Sequence, residues 1–227
     1  MTGSRVVALV AAHDEADLVG DTVAALASIG CVDEVVVVDD GSEDATAAVA
    51  LAAGATVLRV PRRAGKGRAV EGALGRLEQA HVWLLADADL GRSASRLEPL
   101  VGLVLDGRAD LAIAIFPPLP GGGLGSVKRF AARAIGLLTR FQAAEPLSGQ
   151  RAISAGCLAA CRPLAGGFGL ETAMTIDAVR GGFRVTEVPV EGLSHRPTGR
   201  SLRGFVHRGR QGLDVARAVG PRAVRLR

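Results

Sequence analysis

EVVVVDDGSEDAT, from Glu34 to Thr46, runs from four valines through two acids and a glycine into an Asp-Ala-Thr segment. An unbroken valine run reads as a strand covered on both faces, as in a parallel sheet. Gly41 permits a tight turn. Asp44 stands where the next helix needs a cap. Upstream, RVVALVAA (Arg5–Ala12) reads as another buried strand, and Leu18–Ser28 has helical spacing. Downstream come a helix over Asp44–Ala53, a strand over Thr56–Val60, a helix over Gly65–Leu77 and a strand over His81–Leu85. Repeated strand–helix–strand order predicts a doubly wound, mainly parallel α/β sheet flanked by helices. The pattern continues with a helix over Arg96–Asp106 and a strand over Leu111–Ile115. Pro117–Gly125 (PPLPGGGLG) is a loop or hinge suited to a mobile lid. Helices are expected over Val127–Phe141, Glu171–Arg180 and Arg203–Val219, with a strand over Arg184–Val190.

The 227 residues suit one domain, residues 1–191, with an appended tail, residues 192–227. No window reaches the roughly 18 apolar residues that a membrane span needs. Met1–Arg5 carries no secretory pattern, so a cytoplasmic protein is expected. Cys31, Cys157 and Cys161 form no disulfide framework. Cys157 and Cys161 read as small buried residues on one helix face. The net charge is +4, and residues 192–227 hold nine arginines against one acid, Asp214. Such a basic helical tail points to phosphates: a nucleotide, a phosphorylated acceptor or an anionic membrane met peripherally. Aromatics are only 3%, with no tyrosine, which argues against a reader of single-stranded nucleic acid. Oligomeric state, a homodimer included, is left open.

In open parallel sheets ligands bind at the carboxyl ends of the strands. Acids recur there: His13-Asp14-Glu15 after the first strand, Asp39-Asp40 after the second and Asp87-Ala88-Asp89 after the fourth. In extended chain, residues i and i+2 point the same way, so Asp87 and Asp89 can hold a hard cation, Mg²⁺ or Mn²⁺, or one metal and one ribose. A solvated turn is the alternative for such a D-x-D, and a helix cap for one acid of the earlier cluster. Asp39 or Asp40 can accept hydrogen bonds from a base or a ribose. Gly65-Lys66-Gly67 opens a helix, where its amides and Lys66 could meet a diphosphate.

Taken together, VVALVAAHDEADLVGDTVAAL, DEVVVVDDGSEDAT, GKGRAV and LLADADL resemble family 2 glycosyltransferases of the GT-A fold. SGQRAIS, GFGLETAMTIDAVRGGFRVTEVPVE and HRPTGRSLRGF resemble the dolichol-phosphate mannose synthase-like branch, and other stretches resemble glucosyl-3-phosphoglycerate synthase. The chain departs from the usual pattern at Ala12 and Asp14, where Pro and Asn are common, and at Gly91, where Gln is. The resemblance implies a GT-A fold and transfer of a sugar from a UDP- or GDP-linked donor with Mg²⁺ or Mn²⁺. Asp39, beside Asp40, is a nucleotide candidate from its position alone; the resemblance assigns the nucleotide to the Ala11–Glu15 segment, with Ala11, Ala12, His13 and Glu15, and to Asp40 and Lys66, and it places Asp87 near the ribose or the metal. It makes Asp89 the direct metal ligand beside Asp87, with His195 as a late ligand.

Departure of the nucleoside diphosphate is the expected barrier. Arg196 is expected on the donor, and Arg151, Arg200 and Arg203 on acceptor or donor phosphates. A hydroxyl acceptor requires a general base, for which Glu171 and Glu145 are the candidates; a phosphate acceptor requires none. The rival readings are a sugar nucleotidyltransferase and a non-catalytic nucleotide- or membrane-binding module. AAHDEADLV after the first strand lacks the Gly-rich loop of the former, and the full acid–lysine set argues against the latter.

Overall fold

The computed structural model describes residues 3–117, 125–194 and 202–224, with side chains omitted for 202–211. Seven strands form one sheet: β1 (Val6–Ala12), β2 (Glu34–Asp40), β3 (Thr56–Val60), β4 (Val82–Asp87), β5 (Leu111–Ile115), β6 (Arg151–Ser154) and β7 (Val185–Pro189). Their spatial order is β3-β2-β1-β4-β6-β5-β7. All neighbours are parallel except β6, which runs antiparallel to both β4 and β5. The helices are α1 (Val19–Ala27), α2 (Thr46–Ala52), α3 (Lys66–Leu74), α4 (Glu98–Leu105), α5 (Gly125–Thr139), α6 (Ala155–Cys161), α7 (Leu170–Arg180) and α8 (Leu202–Val224).

The valine runs are buried on both faces because successive side chains of a strand enter different cores. Val6, Ala8 and Val10 of β1 pack with Val19, Val23 and Leu26 of α1 and with Leu100 and Val101 of α4. Val7 and Leu9 pack on the opposite side with Val70 and Leu74 of α3 and with Leu170 and Met174 of α7. Fully burying each such Val or Leu stabilises the fold by about 1.5–3 kcal/mol.

The parallel half was legible from sequence, but β6 was not expected. β6 has only four residues, RAIS, and one of them is a fully buried arginine, so it carries no clear strand pattern. Cys157 and Cys161 are both buried on α6, as expected of small residues on one helix face. Most of the Pro117–Gly125 hinge, residues 118–124, lies outside the described residues. The expected tail helix is present as α8. Its visible half is tied to the domain: Val215 and Ala218 are buried, Arg222 is paired to Asp177 of α7, and Asp214 accepts from the Phe168 amide at 3.3 Å. Among the described residues no helix is long and apolar enough to cross a membrane.

Candidate active site

Parallel pairing brings the carboxyl ends of the first, second and fourth strands level. Ala11 of β1 stands opposite Val38 of β2 and Asp87 of β4, and Ala12 stands opposite Asp39. The acidic clusters therefore share one rim, as the strand-end rule requires.

Two of these loops are stitched together. The Asp14 amide donates to Ser42 Oγ at 3.0 Å, the Glu15 amide to Thr46 Oγ1 at 2.8 Å and the Ala16 amide to Asp44 Oδ2 at 3.1 Å. His13 Nδ1 lies 2.9 Å from the Asp40 carbonyl oxygen, which makes that nitrogen the donor. Asp44 also accepts from the Thr46 amide at 2.9 Å, so it braces the start of α2 as its position in the sequence suggested. Gly41 turns with φ of +69°, and a Cβ there would come within 2.7 Å of the Arg63 amide nitrogen. Only glycine meets both demands. His13, Gly41 and Ser42 line an open groove together with Arg59, Arg62 and Arg63.

The two adjacent acids of β2 have separate tasks because they face opposite ways. Asp39 is fully enclosed, accepting from the Ser42 amide at 3.0 Å and from Arg59 Nε at 3.1 Å. This corrects the expectation of a nucleotide contact for Asp39, which has no surface to offer one. Asp40 is also buried, and its oxygens accept from the amides of Ala64 (2.7 Å) and Gly65 (2.8 Å). Asp40 thus fixes the two residues that lead into Lys66.

Lys66 opens α3 and is the centre of the site. Its Nζ lies 2.6 Å from Asp87 Oδ1 and 2.9 Å from Glu171 Oε1. Burial alone would lower its pKa, but Asp87 and then Glu171 together outweigh that and raise it above the ordinary lysine value. Lys66 is therefore a permanent cation. The other oxygen of Asp87 accepts from Gln150 Nε2 at 2.8 Å. Gly149 passes so close that a Cβ on it would lie 2.4 Å from Lys66 Nζ and 2.6 Å from Asp87 Oδ2. Gly149→Ala is expected to force the pair apart and destabilise the fold by about 1–3 kcal/mol, read as a lower urea midpoint. An unchanged midpoint would show that the pair tolerates the methyl group.

Sequence reasoning missed Gly149 and Gln150. Within SGQR the charged residue, Arg151, carries the phosphate signal, whereas Gly149 and Gln150 carry no local one. Arg151 is 1% exposed, with Nε on the Ser148 carbonyl at 2.7 Å and Nη1 on Thr175 Oγ1 at 2.9 Å. Burial is the main influence on it and lowers its pKa to about 10. The expectation that Arg151 binds a phosphate is corrected: it is a buried strut beneath the site.

The two candidate bases are both held by lysines. Glu171 is 5% exposed, in the first turn of α7 against Lys66. Glu145 Oε1 lies 2.6 Å from Lys128 Nζ of α5, and the Glu145 amide is pinned by Glu187 at 2.7 Å. Ala11 and Ala12 end β1 as expected, with Ala12 buried. Asp89 follows β4 on the same rim, partly exposed like Asp87. His195, Arg196 and Arg200 lie outside the described residues, and Arg203 outside the described side chains. Among the described residues no cluster of three or more His, Cys, Asp or Glu is poised to hold a metal. Asp87 and Asp89 offer carboxylate oxygens, the donor type that a hard divalent cation such as Mg²⁺ takes while keeping waters and sharing ligands with a substrate phosphate.

The family model for glycosyl transferase family 2 matches residues 7–152. Glucosyl-3-phosphoglycerate synthase of Mycolicibacterium paratuberculosis is 30% identical over 199 residues, covering 77% of this chain and 60% of that protein. Glycosyltransferase AglJ of Haloferax volcanii is 28% identical over 192 residues, covering 83% of this chain and 63% of that protein. The chain thus spans about three fifths of the length of these two relatives. The crystal structure of glucosyl-3-phosphoglycerate synthase from Mycobacterium tuberculosis in complex with Mn²⁺, UDP and phosphoglyceric acid superposes with a TM-score of 0.79 at 27% identity, over 96% of this chain and 79% of that one. The mixed sheet is the GT-A fold of these neighbours, and with the matched family model it establishes that this chain belongs to glycosyl transferase family 2.

Proposed function

We propose that this chain is a metal-dependent hexosyltransferase that moves a sugar from a UDP- or GDP-linked donor to a phosphorylated acceptor. The observation that carries this reading is Lys66, a buried permanent cation held between Asp87 and Glu171 on the rim beside Asp89. The nucleotide lies along that rim from the His13–Arg62–Arg63 groove toward Lys66. Lys66 and the amides that open α3 attract its diphosphate. Asp87 and Asp89 would hold Mg²⁺ or Mn²⁺, which supplies charge stabilisation to the departing diphosphate. His195, Arg196, Arg200 and Arg203 belong to the same reading as later contributors to donor and acceptor.

A phosphorylated acceptor is favoured because both candidate bases are occupied. Glu171 is enclosed against Lys66 and Glu145 is paired with Lys128. A hydroxyl nucleophile would need one of them released, whereas a phosphate is already ionised. A polyprenyl phosphate meets this description outright, through an ionised phosphate oxygen; a phosphoglycerate-like acid meets it through its phosphate or carboxylate oxygens, whereas transfer to its hydroxyl would need a carboxylate released to take the proton. The reading includes a cytoplasmic enzyme, open to homodimerisation, that meets an anionic membrane only peripherally.

Titration calorimetry with UDP-glucose and GDP-mannose, with and without Mn²⁺, followed by transfer to 3-phosphoglycerate or a polyprenyl phosphate, tests it. Tight donor binding only with metal, and transfer to one of the two phosphates, is expected. Donor binding indifferent to metal would overturn the mechanism. Transfer only to a non-phosphorylated hydroxyl would overturn the acceptor class.

A further inference from the structure

Six large apolar side chains are prominently exposed among the described residues, and four of them sit on two helices: Phe130 (45%) and Leu137 (81%) on α5, Leu213 (57%) and Val224 (75%) on α8. These helices lie side by side. Gly212 of α8 is against Val127 near the start of α5, and Arg180 bridges the Leu138 and Arg222 carbonyls near their far ends. The inner face of α5 is closed by buried Ala131, Ala134 and Ile135. Its outer face presents Arg129, Phe130, Arg133, Leu137 and, just past its end, Arg140. No acid occurs in α5, and among the described residues no ion pair holds Arg129, Arg133 or Arg140. On α8 the exposed Arg217 is 3.8 Å from Asp214, whose other oxygen is spent on the Phe168 amide.

We propose that this outer face of α5 and α8 docks on an anionic lipid bilayer. Isolated exposed leucines need no explanation, but apolar side chains spaced a helical repeat apart and flanked by unpaired arginines form the face that lies in a headgroup layer. The charge selects the occupant. A second copy would set these arginines against their own images across a two-fold axis, whereas acidic headgroups complement them. The proposal deepens the reading of peripheral membrane contact and rests on it, and it extends the contact from the tail helix α8 to the adjoining face of α5.

The test is co-sedimentation of the full chain with vesicles of phosphatidylglycerol and phosphatidylcholine in equal parts, against phosphatidylcholine alone. The expected result is binding to the anionic vesicles only, weakened by salt. Arg129→Ala with Arg133→Ala should lower the partition coefficient about 30-fold. Phe130→Ser with Leu137→Ser should lower it about tenfold or more. Unchanged thermal melting and donor hydrolysis in both variants would show that the fold and the site are intact. If the wild type ignores anionic vesicles, the membrane reading itself fails. If the wild type binds and the variants bind equally, the contact lies elsewhere and this face is excluded. If light scattering shows a dimer that Phe130→Ser with Leu137→Ser dissociates, the face is a self-interface and the proposal is overturned.

Discussion

Lys66→Met is expected to cost this protein about 3–5 kcal/mol of stability, the cost of leaving buried charge without its partner. The substitution strands Glu171, only 7% exposed at its side chain, opposite Asp87 with no cation between them. Asp87 is more than a third exposed and can recover water, so Glu171 carries most of the effect. For a chain of this size the melting temperature should fall by roughly 6–20 °C. Adding Glu171→Gln removes the stranded charge and should restore a good part of the loss, which a double-mutant cycle reads directly. The pH dependence has a definite sign. The pKa of Lys66 is raised in the folded state, so its contribution is fully present below the unfolded lysine value of about 10.4 and is lost as pH rises beyond that. The gap between wild type and variant should therefore stay flat from neutral pH to about 9. Donor affinity should fall with stability, because the proposed function sets the same cation against the diphosphate. A variant that melts like the wild type would show that Glu171 and Asp87 do not depend on this lysine.

That cluster also shows where sequence reading succeeds. Local chemistry was legible: Val35–Val38 announces a strand covered on both faces, and the acids at Asp40 and Asp87 mark the ends of the two parallel strands that flank β1. Once the order of strands is known, a shared rim follows from parallel register. What stayed hidden depends on contacts distant in sequence. Glu171 meets Lys66 across more than a hundred residues, and Gln150 reaches Asp87 across 63. No local spacing encodes either. Asp39 and Asp40 look equivalent on the page, yet strand alternation sends one under Arg59 and the other to the Ala64 and Gly65 amides. Arg151 misled for a related reason. An arginine in a polar stretch suggests a phosphate, but β6 inserts antiparallel between β4 and β5 and carries it into the interior.

Asp89→Ala should separate catalysis from stability, in contrast to any change at Lys66. Asp87 already accepts from Lys66 on one oxygen and from Gln150 on the other, so its charge is largely offset within the protein. A cation on the rim then draws mainly on Asp89, two residues further along and partly exposed. Losing a metal's stabilisation of a departing diphosphate is worth several kcal/mol, which corresponds to a fall in kcat/KM of about 10²–10⁴-fold. Melting should shift less than in Lys66→Met, since Asp89 lies partly exposed beyond the end of β4 and its loss strands no enclosed carboxylate such as Glu171. Removing metal from the wild type with a chelator should reproduce the catalytic loss, and added Mn²⁺ should reverse it there but not in the variant. Calorimetry supplies a readout independent of turnover. UDP should bind the wild type more tightly with Mn²⁺ than without, and Asp89→Ala should erase that difference while leaving the metal-free affinity in place. If the variant keeps Mn²⁺-dependent UDP affinity, the cation is anchored by other residues and the division of labour between Asp87 and Asp89 is wrong.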